Sequence, residues 1–122
     1  MSTILVIDDE MSIIEVLRDV LMDEGYEVIT ANNGLEGLEC LKVKRPDLVL
    51  CDVMMPVLDG RELCRRMSAN PLYRSIPLIF MTAVHKSFNQ MDCKYAALIA
   101  KPFDLDEVLD TIARFIHTAH TS

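Results

Sequence analysis

The sequence predicts a doubly wound α/β domain, with five parallel strands in the order 2-1-3-4-5 and helices on both faces. Three observations predict it. Leu48 to Cys51 form a short unbroken apolar run between Pro46 and Pro56, the pattern of a strand buried on both faces. Strand-like and helix-like segments alternate along the chain, which favours a parallel sheet with crossover helices. The 122 residues suffice for one core but not two, so residues 1–122 are read as a single domain.

Each element has its own warrant. Thr3 to Ile7 is an apolar β-type run that stops at Asp8-Asp9-Glu10. Ile13, Leu17, Val20 and Leu21, with Val16 beside them, then recur at helical spacing; Ser12 and Glu15 have capping-box spacing, and Gly25 is a stop. Tyr26 to Ala31 reads as the second strand, with β-branched Val28 and Thr30. Asn32-Asn33-Gly34 makes a turn, and Leu35, Leu38 and Leu41 mark the second helix, in which Gly37 costs about 1 kcal/mol relative to alanine. The central strand follows Pro46 and ends at Asp52.

After Asp59-Gly60 a third helix runs from about Arg61 to Met67, with Leu63 and Met67 inward, until Asn70-Pro71 breaks it. Ile76 to Met81 reads as the fourth strand, with Pro77 near its start, where a missing N–H does least harm. Residues 84–94 have weak periodicity and are read as a short helix, and Ala96 to Ala100 as a weak fifth strand ending in Lys101-Pro102. Asp104 and Glu107 repeat the capping spacing, and Leu105, Val108, Leu109, Ile112 and Ile116 line one face of the last helix.

Composition excludes several functions. A formal charge of −7 disfavours a nucleic-acid backbone as partner, and the Arg61, Arg65 and Arg66 cluster reads as a solvated helix face. No apolar run approaches a membrane span and no signal-peptide pattern opens the chain, so a cytoplasmic protein without membrane contact is expected. Cys40, Cys51, Cys64 and Cys93 lie far apart without a C-x-x-C pair, which argues against zinc and against disulfides. His117 and His120 could share a helix face but lack further ligands.

In a parallel sheet every strand-end residue lies on one rim. Asp8 and Asp9 follow strand one and Asp52 follows strand three, neighbours at the switch point where open α/β sheets bind ligands. Thr82 follows strand four and Lys101 strand five. Close carboxylates repel unless a cation joins them, and an all-oxygen set at an exposed rim suits Mg²⁺. Lys101 adds a compact positive charge and Thr82 a hydroxyl. Such a kit suits phosphoryl transfer, in which positioning and charge neutralisation carry most of the catalysis, with Asp52 as nucleophile.

These residues resemble a response-regulator receiver domain, the phospho-accepting module of two-component signalling. The resemblance covers nearly the whole chain and rests on Val-Ile-Asp-Asp-Glu at 6–10, Gly25-Tyr26, Asp-Val-Met-Met-Pro-Val-Leu-Asp-Gly at 52–60, Met-Thr-Ala at 81–83 and Lys-Pro-Phe at 101–103. It implies a flavodoxin-like sheet and a signalling module that catalyses only its own phosphorylation and dephosphorylation. Asp52 would take a phosphoryl group from a phosphohistidine on a sensor histidine kinase or phosphotransfer protein. Asp9, Asp52 and the Met54 carbonyl would bind Mg²⁺, with Asp8 holding a metal-bound water. Thr82 and Lys101 would bind the phosphoryl group, the Lys101–Pro102 peptide would be cis, and a downstream protein would read the result.

Two departures stand out: Leu98 occupies the position, three before the lysine, where the family usually has Tyr or Phe, and the stretch between Thr82 and Lys101 is short for the family. An inward-swinging aromatic at that position therefore cannot be the switch, and a wider change over residues 84–98 is expected instead. Met54 and Val84, at positions that flank the path of the hydrolytic water in the family, are apolar, which predicts slow self-dephosphorylation. The rival readings are a haloacid-dehalogenase-type phosphatase, opposed by Met54 where a second acid is needed; a nucleotide-binding domain, opposed by the absence of a Gly-rich phosphate loop; and a pseudo-receiver that docks partners without phosphorylation.

Overall fold

The computed structural model describes residues 1–83 and 93–121, with side chains as far as Ile116. The helix expected at 84–94 therefore falls mainly outside the described residues, as do Val84 and the side chains of His117 and His120. The elements are β1 (Thr3–Ile7), α1 (Met11–Asp23), β2 (Glu27–Ala31), α2 (Gly34–Val43), β3 (Leu48–Asp52), α3 (Gly60–Ala69), β4 (Leu78–Thr82), β5 (Ala97–Ala100) and α4 (Leu105–Thr121). All strand pairs are parallel and the order is β2-β1-β3-β4-β5, as predicted.

Alternation along the buried strands sends side chains to opposite faces. Ile4, Val6, Leu48, Leu50, Ile79 and Met81 face α1 and α4, where they meet Ile14, Leu17, Leu21, Val108, Ile112 and Ile116. Leu5, Ile7, Val49, Cys51, Leu78 and Phe80 face α2 and α3, against Leu41, Leu63, Cys64 and Met67. The central strands are thereby covered on both sides, which explains why β3 reads as a continuous apolar run.

Several local expectations are corrected. The Ser12–Glu15 capping box does not form: α1 starts earlier, with Glu10 as an N-cap that makes no side-chain capping bond. Asp8 Oδ1 accepts the Glu10 N–H at 2.9 Å and sets the entry to the helix instead. This phase buries Ile14, Leu17 and Leu21 and leaves Val16 exposed. Leu35, in the first turn of α2, is also exposed, while Asn33 caps that helix by accepting the Glu36 N–H at 2.9 Å. β4 begins after Pro77, whose carbonyl accepts the Val49 N–H.

Gly37 is more than tolerated, because a Cβ there would lie 2.5 Å from Ile7 Cδ1. The disulfide expectation is overturned as well. Cys64 of α3 is bonded to Cys93 across 29 positions, a pairing that linear spacing cannot reveal.

Candidate functional site

The register of the sheet builds the site. Ile7 pairs with Cys51, so Asp8 and Asp52 leave neighbouring strands at one level of the carboxyl rim. Asp52 pairs in turn with Met81, and Thr82 is the next residue of β4. Thr82 pairs with Ala100, and its carbonyl accepts the Lys101 N–H at 2.8 Å. Asp8 and Thr82 are fully buried, Asp52 is 7% exposed, and Asp9 is exposed.

One carboxylate oxygen from each of Asp8, Asp9 and Asp52 lies within 4.8 Å of the others. Lys101 reaches into this group, its Nζ 3.0 Å from Asp8 Oδ2 and 3.2 Å from Asp52 Oδ2. Its peptide bond to Pro102 is cis. The other Asp52 oxygen, Oδ1, accepts the Val53 N–H at 2.7 Å, which fixes the carboxylate from the opposite side. Cys51 Sγ lies 3.0 Å from the Asp52 carbonyl oxygen and donates to it.

The electrostatics follow from this crowding. Burial pushes the Asp8 carboxyl above its usual range, outweighing the Glu10 N–H and the Lys101 ammonium that pull it down. For Lys101, burial disfavours the charge, but the hydrogen bond and charge of Asp8, joined by Asp52, carry its affinity for the proton above the ordinary lysine value. The clustered carboxylates, with Glu10 3.9 Å from the lysine, still outnumber its ammonium. An all-oxygen donor set with surplus negative charge is the chemistry a hard divalent cation such as Mg²⁺ requires.

Of the residues singled out by sequence, Asp8, Asp9, Asp52 and Lys101 come together, and Thr82 occupies the adjoining strand end. Met54 stands two residues past Asp52 with 62% of its surface exposed. Sequence reasoning read Gly60 only as the start of the third helix and the end of the 52–60 motif, and missed that a Cβ there would lie 2.4 Å from the Asp52 carbonyl oxygen. Only glycine lets α3 start so close beneath the acidic residue, and its position next to Asp59, the cap of that helix, was the available signal. Glu10 also lies nearer the lysine than its place at the start of a helix suggested.

Between Pro56 and Leu58 the loop above Asp52 folds as a γ-turn, the Leu58 N–H donating to the Pro56 carbonyl at 2.8 Å. Its central residue, Val57, has φ of +70°. The Leu58 carbonyl in turn accepts the Gly34 N–H at 2.9 Å, tying this loop to the start of α2.

Fold and site together define a flavodoxin-like α/β domain with an acidic cleft at its switch point. Residues 4–113 match the response regulator receiver domain family, and the chain belongs to that family, the signalling modules of two-component systems. It is 36% identical over 116 residues to sporulation initiation phosphotransferase F of Bacillus subtilis, covering 93% of this chain and 92% of that protein. It is 38% identical over 108 residues to the alkaline phosphatase synthesis transcriptional regulatory protein PhoP of the same organism, covering 86% of this chain but 44% of that protein.

Among solved structures, the signal receiver domain of a signal transduction histidine kinase from Syntrophus aciditrophicus superposes with a TM-score of 0.91 at 30% identity, covering 97% of this chain and 92% of that one. The chemotaxis protein CheY4 of Vibrio cholerae gives 0.88 at 30% identity over 94% of this chain and 98% of its own. Among the described residues no helix is long and apolar enough to cross a membrane.

Proposed function

We propose that this domain accepts a phosphoryl group on Asp52 in a Mg²⁺-dependent reaction, the donor being a phosphohistidine on a sensor histidine kinase or phosphotransfer protein. The observation that carries this reading is Lys101 Nζ held 3.0 and 3.2 Å from Asp8 and Asp52 beside a third carboxylate. Asp52 Oδ2 attacks phosphorus, the histidine nitrogen leaves, and an acyl phosphate results. Lys101 keeps its proton and moves its ion pair from the free carboxylate to the phosphoryl oxygens, while the Thr82 hydroxyl offers them a donor. Asp9 and Asp52, with the Met54 carbonyl, would hold Mg²⁺, and Asp8 a water on it; the ion would supply charge neutralisation at the phosphoryl oxygens.

A downstream protein reads the phosphorylated state through the 84–98 region and the surface adjoining it, of which residues 93–98 are described. There Leu98 packs against the α2/α3 core, and the Tyr95 ring lies 5.5 Å from that of Phe80. The formal charge of −7 disfavours a nucleic-acid backbone as a partner of this domain. The test is incubation with acetyl phosphate and Mg²⁺ read by intact mass. Wild type gains one phosphoryl mass, while Asp52→Asn gains none and chelation of Mg²⁺ prevents the gain. An unmodified wild type under these conditions would leave a docking module without phosphorylation.

The exposed apolar side chain of Met54 offers nothing to orient a hydrolytic water, which supports slow loss of the phosphoryl group. Met54→Asn should shorten the phosphoryl half-life, because a side-chain amide there could orient the attacking water. An unchanged half-life by intact mass would count against this assignment.

A further inference from the structure

We propose that Cys64 and Cys93 form a reversible redox-modification site that cross-links α3 to the chain entering β5 in the oxidised state and leaves the two joined by non-covalent contacts alone in the reduced state. Their Cα atoms are 5.8 Å apart, within the span a cystine bridges without backbone movement. The two sulfurs sit unequally. Cys64 is 1% exposed on the inner face of α3, whereas Cys93 is only half-buried. One accessible thiol beside one sheltered partner is the arrangement by which an oxidised cysteine is resolved into a disulfide.

The reduced state also has a place in this packing. Cys64 Sγ lies 3.7 Å from the Lys94 carbonyl oxygen, a separation at which a free thiol donates a weak S–H···O bond. The Lys94 N–H donates to Ser68 Oγ at 3.4 Å, and Tyr95 packs on Phe80. Opening the bond therefore leaves the segment docked by contacts that do not depend on it. The other two cysteines are poor competitors. Cys51 is fully buried, with its Sγ donating to the Asp52 carbonyl oxygen. The Cys40 thiol is pushed up by burial and by Glu36 and Glu39.

The chemistry balances with a low-molecular-weight disulfide as oxidant. The Cys93 thiolate attacks it and expels one thiolate, giving a mixed disulfide; the Cys64 thiolate then attacks the Cys93 sulfur and expels the second. Two protons leave the protein and are taken up by the two departing thiolates. A small dithiol reverses the sequence and is itself oxidised to a disulfide. The elements joined by the bond both reach the acidic rim, since α3 begins at Gly60, whose N–H donates to the Val53 carbonyl, and β5 runs into Lys101.

The test equilibrates folded protein in dithiothreitol or in oxidised glutathione, traps free thiols with iodoacetamide, and counts and locates the label by mass spectrometry. Dithiothreitol without denaturant should open the half-buried Cys93 to labelling, and oxidised glutathione should close it again. The oxidised form should melt about 10 °C higher, from the denatured-state loop it closes. Cys64→Ser and Cys93→Ser should each abolish that difference. Labelling that requires denaturant would make the bond a fixed structural cystine, and labelling that persists after oxidised glutathione would show that the pair does not bond; either result overturns the proposal.

Discussion

The two faces of the sheet are built on different plans. The buried core of the α1/α4 face is aliphatic apart from Met81, with Ile, Leu and Val from two helices closing over β1, β3 and β4, and its aromatic side chains, Tyr26, Phe103 and Phe115, are only partly buried. The α2/α3 face adds Phe80, a cystine and glycines set hard against their neighbours. It is also laced at its margins by polar links, Thr3 Oγ1 to Glu27, Lys44 to Glu27, and Arg45 to Ser75 and the Leu72 carbonyl. A face filled with branched aliphatics is specified by periodicity and volume alone. One that depends on close backbone approach is specified by particular residues, and here that approach brings α3 under Asp52.

The largest expected effect tests the aliphatic face. Ile112 is fully buried, and Ile112→Ala should cost about 2–5 kcal/mol in urea unfolding, whereas Ile112→Leu should cost less than about 1.5 kcal/mol. Comparable losses from both would show that this face, too, demands a particular shape. Next comes Gly60→Ala. Its Cβ meets the Asp52 backbone oxygen rather than a flexible tip, so overpacking should cost about 1–3 kcal/mol. It should also slow phosphoryl uptake from acetyl phosphate, an effect that Ile112→Leu lacks; unchanged uptake and stability would remove the distinction between the faces.

The smallest effect lies at the polar margin. Lys44 first, then Thr3, hold the exposed Glu27 carboxyl below its ordinary value. A carboxylate lowered in the folded state contributes stability that is present above the unfolded value and is lost as pH falls through the folded one. Lys44→Met should move the Glu27 titration, followed by NMR, upward toward 4.5 and leave stability at neutral pH nearly unaltered. A titration that did not move would show that the pair is absent in solution.

The same contrast decided what could be read from the sequence. The acidic rim was legible because Asp8, Asp9 and Asp52 directly follow apolar runs, and a parallel sheet gathers all strand ends on one side. The inner stripe of α4 was legible as simple periodicity. For α1, Ser12 offered a plausible cap, but Asp8 reaches the Glu10 N–H first and turns the helix so that Ile14 is buried. Gly37 looked like a defect because the side chain that fills its space, Ile7, is thirty positions away. The Cys64–Cys93 bond was hidden for the same reason: it depends on where α3 meets the entry to β5, which is a property of the packing.

Val57, in the left-handed region with 77% of its surface exposed, gains little contact to offset a conformation that β-branched residues avoid. The polypeptide above Asp52 is thus held like a bent spring by its neighbours, at a cost of about 1–3 kcal/mol. Any occupant of the cleft that let this bend relax would recover part of that energy, and the anchoring of Leu58 to Gly34 would deliver the recoil to the start of α2, on the side of the molecule away from Lys101's own strand.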